Sequence, residues 1–201
     1  MNIIKTIFFD WGGVLINDPA NEIVSYCSKK LDVSSEIFLI VQNKYLPEFQ
    51  IGKISENNYW QKICADLNVP IPQTQSLWGE AFRSAYSPKE DMLNLVAILK
   101  SKGIITSIIS NTEIPCYEFY KELNYVNFDV VIFSCLEKTR KPEEKIYKIA
   151  LEKTHTKCFE GIFIDDKMEN IKAAQNLHLN VIYYKNFVDT VENLKKYSIL
   201  F

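Results

Sequence analysis

Five short apolar runs, rich in isoleucine, valine and phenylalanine, are spaced along the chain. They occupy residues 3–9, 104–109, 130–133, 161–164 and 181–184. Each is apolar at successive positions, without the alternation of a half-exposed strand, which is typical of strands buried on both faces. From residue 104 onward the runs alternate with helical segments. This pattern predicts an α/β fold with a five-stranded parallel sheet and helices on both faces.

One helix has clear start and stop signals. Ser87-Pro88-Lys89-Glu90 offers a capping serine, a proline at the first helical position and a capping-box glutamate. The apolar pattern that follows stops at Gly103, and because glycine commonly ends helices, the helix is expected to end there. The sequence therefore predicts a helix that starts at Pro88.

The segment between the first two apolar runs is much longer than one crossover helix requires. Four helical patterns lie in it, at residues 19–31, 34–44, 55–67 and 73–85, with no convincing strand. Turn signals stand at residues 50–52 and 70–72. We predict a core formed by residues 1–16 and 87–201, and an inserted all-helical cap at residues 17–86.

Composition narrows the functional classes. A chain of 201 residues with a formal net charge of -2 has no broad basic field, so nucleic acid and acidic membrane surfaces are not expected partners. Its five cysteines are widely spaced, without a zinc-binding pattern, and we expect them to be reduced. No stretch has the character of a signal peptide or membrane span, so a cytoplasmic location is expected.

Candidate chemistry lies directly after the predicted strands, where ligands bind in open parallel sheets. Asp10 ends the first run and is followed by Gly12 and Gly13, which permit a tight turn close to a ligand. Ser110 and Asn111 end the second run and offer hydroxyl and amide donors to a phosphate. Taken singly, these residues are also common in ordinary turns.

Two later segments add opposite charges. Lys141 precedes Pro142, and we predict that this proline begins a helix whose positive end lies beside the lysine. Asp165 and Asp166 end the fourth run, with Asn170 four residues later. Adjacent carboxylates repel each other unless a cation or donors compensate, and a hard-cation site explains them economically. Together the four segments form a toolkit for phosphoryl transfer.

These four motifs, in this order, resemble those of the haloacid dehalogenase superfamily. The likeness covers nearly the whole chain, and Gly52-Lys53-Ile54-Ser55 resembles a recurring turn of the family's helical cap. Its nearest likeness is to bacterial sugar-phosphate phosphatases that cleave at the anomeric carbon and to phosphatase domains of soluble epoxide hydrolases. The resemblance implies a Rossmann-like core and a bound Mg²⁺ ion.

Residue roles follow from the same resemblance. It implies that Asp10 is the nucleophile and a metal ligand, and that the other metal ligands are the Gly12 carbonyl and Asp166. The resemblance also implies that Asp165 and Asn170 lie in or just outside the metal shell, and that Ser110, Asn111 and Lys141 hold the phosphoryl group.

The sequence departs from the family pattern at three positions. Gly12 stands where most family phosphatases have an aspartate that protonates the leaving oxygen, a group worth about 10²- to 10⁴-fold in rate. We therefore expect acyl, aryl and anomeric phosphates to be cleaved faster than primary alkyl phosphates. Lys138 and His178 stand where the compared branch usually has glycine, which implies some strain at those turns.

The resulting hypothesis is a magnesium-dependent phosphatase of a small phosphorylated metabolite, with a sugar phosphate as the leading candidate, acting as a monomer or homodimer. The first alternative is a catalytically silent phosphate-binding regulatory protein, because the acid aspartate is missing. A haloacid dehalogenase is the second, since halide departure needs neither proton nor metal. Candidate substrate contacts beside the nucleophile and in the cap are Trp11, Tyr45, Phe49, Trp60, Trp78, Phe82, Arg83 and Tyr86.

Overall fold

The computed structural model describes residues 3–123 and 125–199, which fold around a five-stranded parallel sheet of order β3-β2-β1-β4-β5. The outer bounds of the predicted core, residues 1 and 201, lie outside this range. The strands coincide with the five apolar runs: β1 (Thr6–Phe9), β2 (Ile105–Ser110), β3 (Val130–Phe133), β4 (Gly161–Asp165) and β5 (Asn180–Tyr183). The predicted α/β class is confirmed.

The helices of the described chain divide into two groups. Between β1 and β2 lie α1 (Ala20–Lys30), α2 (Ser35–Gln50), α3 (Glu56–Leu67), α4 (Leu77–Ala85) and α5 (Glu90–Ser101). Alternating with the remaining strands are α6 (Ile114–Glu122), α7 (Ser134–Glu137), α8 (Glu144–Lys153), α9 (Met168–Asn176) and α10 (Phe187–Lys196). In the part of the chain that the structure describes, no helix combines the length and apolar character needed to cross a membrane.

The two faces of the sheet bury alternate residues of each strand, as a sheet covered on both sides requires. In β1, Ile7 and Phe9 belong to the apolar cluster that includes Met92 of α5. Phe8 belongs instead to a second cluster with Tyr147 of α8 and Ile171 of α9. Helices thus cover both faces, and the carboxyl ends of the strands form one edge.

Helix α5 begins at Glu90 rather than at Pro88, so the predicted start is wrong. Residues on both sides of the insertion pair instead: the Asn17 amide donates to the Ser87 carbonyl at 2.9 Å, and the Lys89 amide donates to the Leu15 carbonyl at 2.9 Å. The Ser87 hydroxyl accepts from the Asn17 side chain at 3.0 Å and does not cap the helix. The Ser87 hydroxyl and the Lys89 amide, which a helix starting at Pro88 would use, are therefore bonded to residues 15 and 17 instead.

The expected role of Pro142 is also wrong, because α8 begins at Glu144. Residues 140–143 form a turn in which the Glu143 amide donates to the Arg140 carbonyl at 2.8 Å. Lys138 and His178 both adopt the left-handed conformation, with φ of 56° and 61°. These are the two positions where the resemblance implied glycine, so the turn shapes persist without it.

The four helices of the insertion pack around aromatic side chains. Phe49 stacks on Tyr59 with ring centroids 4.5 Å apart, and Trp78 meets both rings edge-on. Helix α2 runs to Gln50, six residues beyond the predicted end, and the turn after it places Gly52 at φ +61°. Helix α4 begins later than predicted, at Leu77, with Ser76 capping it. These helices lie over the carboxyl edge of the sheet, where α4 packs on α6.

Candidate active site

Two carboxylates meet at the centre of the carboxyl edge. Strands β1 and β4 pair with Phe9 opposite Ile164, so Asp10 and Asp165 follow at the same level of the sheet. The Asp10 amide donates to the Ile164 carbonyl at 2.9 Å, which continues the pairing one residue further. Both side chains are buried, with 5% and 0% of their surface exposed. Register alone therefore brings these two predicted residues together.

Lys141 lies between the two carboxylates. Its Nζ is 2.8 Å from Asp10 Oδ1 and 2.7 Å from Asp165 Oδ2, and the residue is 1% exposed. Asn111 fixes the lysine's backbone, because its Oδ1 accepts from the Lys141 amide at 2.8 Å and its Nδ2 donates to the Lys141 carbonyl at 2.9 Å. The side chain of Asn111 is thus engaged with the lysine loop.

The paired aspartates after β4 have different surroundings. Asp165 accepts from the Lys167 amide at 2.8 Å and from Asn170 Nδ2 at 3.0 and 3.1 Å, in addition to its contact with Lys141. Asp166 has a buried Oδ1 with no hydrogen-bond partner among the described residues. A buried carboxylate oxygen without a donor is costly unless a cation satisfies it.

The pKa values of the three carboxyl groups at this edge differ from their ordinary values. Burial raises the pKa of Asp10 to about 8, against the opposing charge of Lys141. Burial and the neighbouring Asp165 raise the pKa of Asp166. Burial would also raise the pKa of Asp165, but Lys141 and the hydrogen bonds bring it below the usual value. Three carboxyl groups therefore surround a single lysine at this edge, so a bound cation would offset the remaining negative charge.

The donor set fits a hard divalent cation. Asp10, Asp165 and Asp166 each present a carboxylate oxygen within 4.8 Å of the others. None of the described residues donates a hydrogen bond to the Gly12 carbonyl, which lies in the same turn. Carboxylate and carbonyl oxygens are the ligands Mg²⁺ prefers. The orphaned Asp166 oxygen makes it a better direct ligand than Asp165, whose oxygens have partners.

The turn after β1 is fitted closely around Asp166. Gly13 has φ +90°, and a Cβ there would lie 2.3 Å from Asp166 Oδ2. Lys89 Nζ donates to the Gly13 carbonyl and lies 4.4 Å from the centroid of the Tyr184 ring. Sequence reasoning missed Lys89, because it lies in a segment that was interpreted as a helix start.

A cavity of about 240 Å³ opens between the sheet edge and the insertion. Asp10, Ser110, Asn111 and Lys141 line its floor, and the insertion supplies much of the opposite wall. Of the residues expected to contact the substrate, Trp11, Trp78 and Phe82 line the cavity. The other expected residues lie outside the lining found in the described chain: Tyr45, Phe49, Trp60, Arg83 and Tyr86.

The wall also holds a carboxyl group that sequence reasoning missed. Glu113 is 6% exposed and accepts hydrogen bonds from Gln50 Nε2 at 3.0 Å and Trp78 Nε1 at 3.1 Å. Burial raises its pKa above the ordinary value despite these donors. The signal for it was its place three residues after Ser110, at the same strand end.

Comparison with known proteins adds the family. Residues 4–178 match the haloacid dehalogenase-like hydrolase family. The sesquiterpene phosphatase astK of Aspergillus oryzae is 26% identical over 194 residues, covering 96% of this chain and 95% of that protein. Rat bifunctional epoxide hydrolase 2 is 31% identical over 215 residues, covering 96% of this chain but only 38% of that protein.

Solved structures share the fold. A haloacid dehalogenase family enzyme of Bacteroides thetaiotaomicron is 23% identical, with a TM-score of 0.78 over 92% of this chain and 95% of that one. The same enzyme in complex with magnesium and inorganic phosphate superposes with a TM-score of 0.74 over 90% and 94% of the two chains. With the family match extending over most of its length, the chain belongs to the haloacid dehalogenase-like hydrolases.

Proposed function

We propose that this protein is a magnesium-dependent phosphatase that hydrolyses a small phosphorylated metabolite, such as a sugar phosphate, through an aspartyl-phosphate intermediate on Asp10. The observation that carries the proposal is the arrangement at the sheet edge. Asp10 is buried at the floor of the cavity, ion-paired with Lys141, and lies within one carboxylate cluster with the orphaned oxygen of Asp166.

In the proposed reaction, Asp10 attacks phosphorus. Its Oδ1 accepts from the Trp11 amide at 2.7 Å and contacts Lys141 Nζ, so the carboxylate orientation is fixed. The other oxygen receives no hydrogen bond from the described residues, which leaves its lone pairs for a ligand. A bond from an Asp10 oxygen to phosphorus forms as the ester P–O bond breaks, and the leaving oxygen takes up a proton. Water then cleaves the acyl phosphate and restores the carboxylate.

The remaining residues of the site bind the metal ion and the phosphoryl group. A bound magnesium ion would offset the negative charge shared by the carboxylates and the phosphoryl group. We assign Asp10, Asp166 and the Gly12 carbonyl as its ligands, with Asp165 and Asn170 behind them. Lys141 and Ser110 hold the phosphoryl oxygens, and Asn111 contributes by fixing the Lys141 backbone.

Two similar proteins support this proposal. One full-length relative is described as a phosphatase, and a structural neighbour was crystallised with magnesium and inorganic phosphate. An L-2-haloacid dehalogenase of Xanthobacter autotrophicus shares the fold, with a TM-score of 0.63 and 18% identity. The orphaned Asp166 oxygen favours the phosphatase, because halide displacement needs no cation.

The test is the Asp10→Asn variant, assayed for phosphate release with and without magnesium across sugar, acyl, aryl and alkyl phosphates. The amide keeps the shape of the side chain but is a poor nucleophile, so release should fall by at least about 10³-fold while the fold remains. Asp32→Asn is the matched control, because Asp32 is exposed at φ 56°, a conformation that asparagine tolerates.

Other outcomes discriminate the alternatives. Near-normal turnover by Asp10→Asn would contradict the covalent mechanism. Wild-type protein that binds phosphate and magnesium yet cleaves no ester would favour the silent regulatory protein. Release of halide from a haloacid without magnesium would favour the dehalogenase.

A further inference from the structure

Glu113 is an acidic group without a cationic partner in the wall of the catalytic cavity. It belongs to none of the ion pairs formed within residues 3–123 and 125–199. Its Oε2 accepts from Trp78 Nε1 and from Cys116 Sγ at 3.3 Å, whereas Gln50 is the single side-chain donor to its Oε1 among the described residues. One lone pair of Oε1 is therefore available to a ligand.

Further acceptors and aromatic rings surround this carboxyl group. Gln42 and Gln50 line the cavity, and the Oε1 atom of each is buried without a hydrogen-bond partner in the described chain. Trp11, Trp78 and Phe82 also line the cavity, with the Trp11 and Phe82 ring centroids 5.1 Å apart. Carboxylates, amide oxygens and aromatic faces are the groups that bind ammonium ions.

The cationic residues of the cavity lie on one side of it. Arg140, Lys141 and Lys167 follow β3 and β4 at the sheet edge, where the acidic Asp10 and Glu169 also line the cavity. Glu113 instead contacts Gln50 of α2 and Trp78 of α4, on the side formed by the insertion. A phosphate monoester that bears a positive charge on its leaving group would match both ends of this arrangement.

We infer that the insertion side of the cavity binds an amine on the leaving group, so that the substrate is a small amine-bearing phosphate monoester, an amino sugar phosphate or an amino alcohol phosphate. This inference rests on the proposed phosphatase function. An ammonium group donates to the free lone pair of Glu113 and to the glutamine oxygens, and lies against the aromatic rings. A leaving group that carries a carboxylate is excluded by repulsion from Glu113.

The experiment compares substrates that differ only in this group. One pair is glucosamine and glucose, each phosphorylated at the anomeric carbon. The second series is ethanolamine phosphate, ethylene glycol phosphate and phosphoglycolate. We expect kcat/KM to be about tenfold or more higher for the amine than for the neutral compound in at least one series, and lowest for the carboxylate. The series with the larger ratio distinguishes an amino sugar from an amino alcohol.

Glu113→Gln then tests the assignment, with circular dichroism as a check of folding. The ratio of kcat/KM between amine and neutral substrate should fall to about twofold or less, since the amide carries no charge. Glu118→Gln, which removes an exposed carboxylate from the same helix, should keep the wild-type ratio. If Glu113→Gln does not fold, Glu113→Asp retracts the charge by one methylene and should lower the ratio.

Two results would overturn the inference: equal kcat/KM for amine and neutral substrates in both series, or a preference that survives in Glu113→Gln. Failure of the proposed function has a different signature. In that case no substrate, activated aryl phosphates included, releases phosphate, or the release survives in Asp10→Asn.

Discussion

At the scale of single residues, the two neighbouring aspartates after β4 have different surroundings. Asp165 is fully buried and accepts from Lys141, the Lys167 amide and Asn170, so its charge is compensated within the protein. Asp166 has an orphaned oxygen and a raised pKa, caused by burial and by Asp165. The first carboxylate therefore stabilises the folded chain, and the second is suited to a ligand.

Substitution by asparagine should separate these two roles. Asp165→Asn removes one partner of buried Lys141 and should lower the free energy of unfolding by on the order of 3 kcal/mol. Asp166→Asn should leave the metal-free protein at least as stable as the wild type, because it removes a repulsive charge, yet abolish stabilisation by magnesium. Thermal melting with and without magnesium measures both. A normal magnesium response in Asp166→Asn, or an unchanged stability in Asp165→Asn, would contradict the assignment.

At the scale of elements, the turn after β1 sets how close the loop that follows Asp10 lies to Asp166. The Gly13 amide donates to the Ile16 carbonyl at 2.9 Å, and Gly13 adopts a φ that side chains rarely allow. Gly12 has no such requirement, and a Cβ there would meet only Pro19 Cδ at 3.3 Å. The two adjacent glycines therefore have different tolerances.

Alanine at each position tests this difference. Gly13→Ala should cost at least about 1 kcal/mol from the left-handed backbone and should also displace Asp166. We expect it to melt earlier and to bind magnesium weakly, as titration calorimetry would detect. Gly12→Ala should keep both properties close to the wild type, since its new methyl group needs a shift of only a few tenths of an ångström. Equal effects of the two substitutions would show that the turn adapts.

At the scale of the whole molecule, Glu113 joins three parts of the chain. It stands at the start of α6 and receives hydrogen bonds from the end of α2 and the start of α4. The Ser134 hydroxyl adds a contact to the Gln50 carbonyl at 2.6 Å. These bonds hold the insertion against the sheet edge, over the cavity.

The raised pKa of Glu113 makes part of the stability depend on pH. Burial is its main cause, and folded Glu113 holds its proton more tightly than unfolded Glu113. The free energy of unfolding contributed by this residue therefore falls as pH rises from the ordinary pKa of glutamate to the raised value. Glu113→Gln should gain stability relative to the wild type as pH rises through this window. Denaturant unfolding at several pH values measures the difference, and a gap that is constant with pH would refute this linkage.

The sequence by itself determined the strands, because five buried runs of branched and aromatic residues leave little choice of secondary structure. Since parallel strands end at one edge, it also predicted which side chains meet there. Asp10, Lys141 and Asp165 are in contact as the motif order implied. Helix starts were less certain: Pro88 and Pro142 carry a local start signal, but pairing across the insertion and a tight turn use those residues differently.

Only the tertiary structure decided how the individual oxygens are used. Asp165 and Asp166 are the same residue type at adjacent positions, so the sequence does not distinguish them. Their surroundings differ because Lys141, Asn170 and the Lys167 amide all donate hydrogen bonds to Asp165. In the sequence, Glu113 is an unremarkable residue after a strand. In the structure, Gln50 and Trp78, which are distant in sequence, donate hydrogen bonds to its carboxyl group. Local pattern fixes which backbone a residue adopts, whereas desolvation and charge depend on neighbours that only long-range packing brings within a few ångströms.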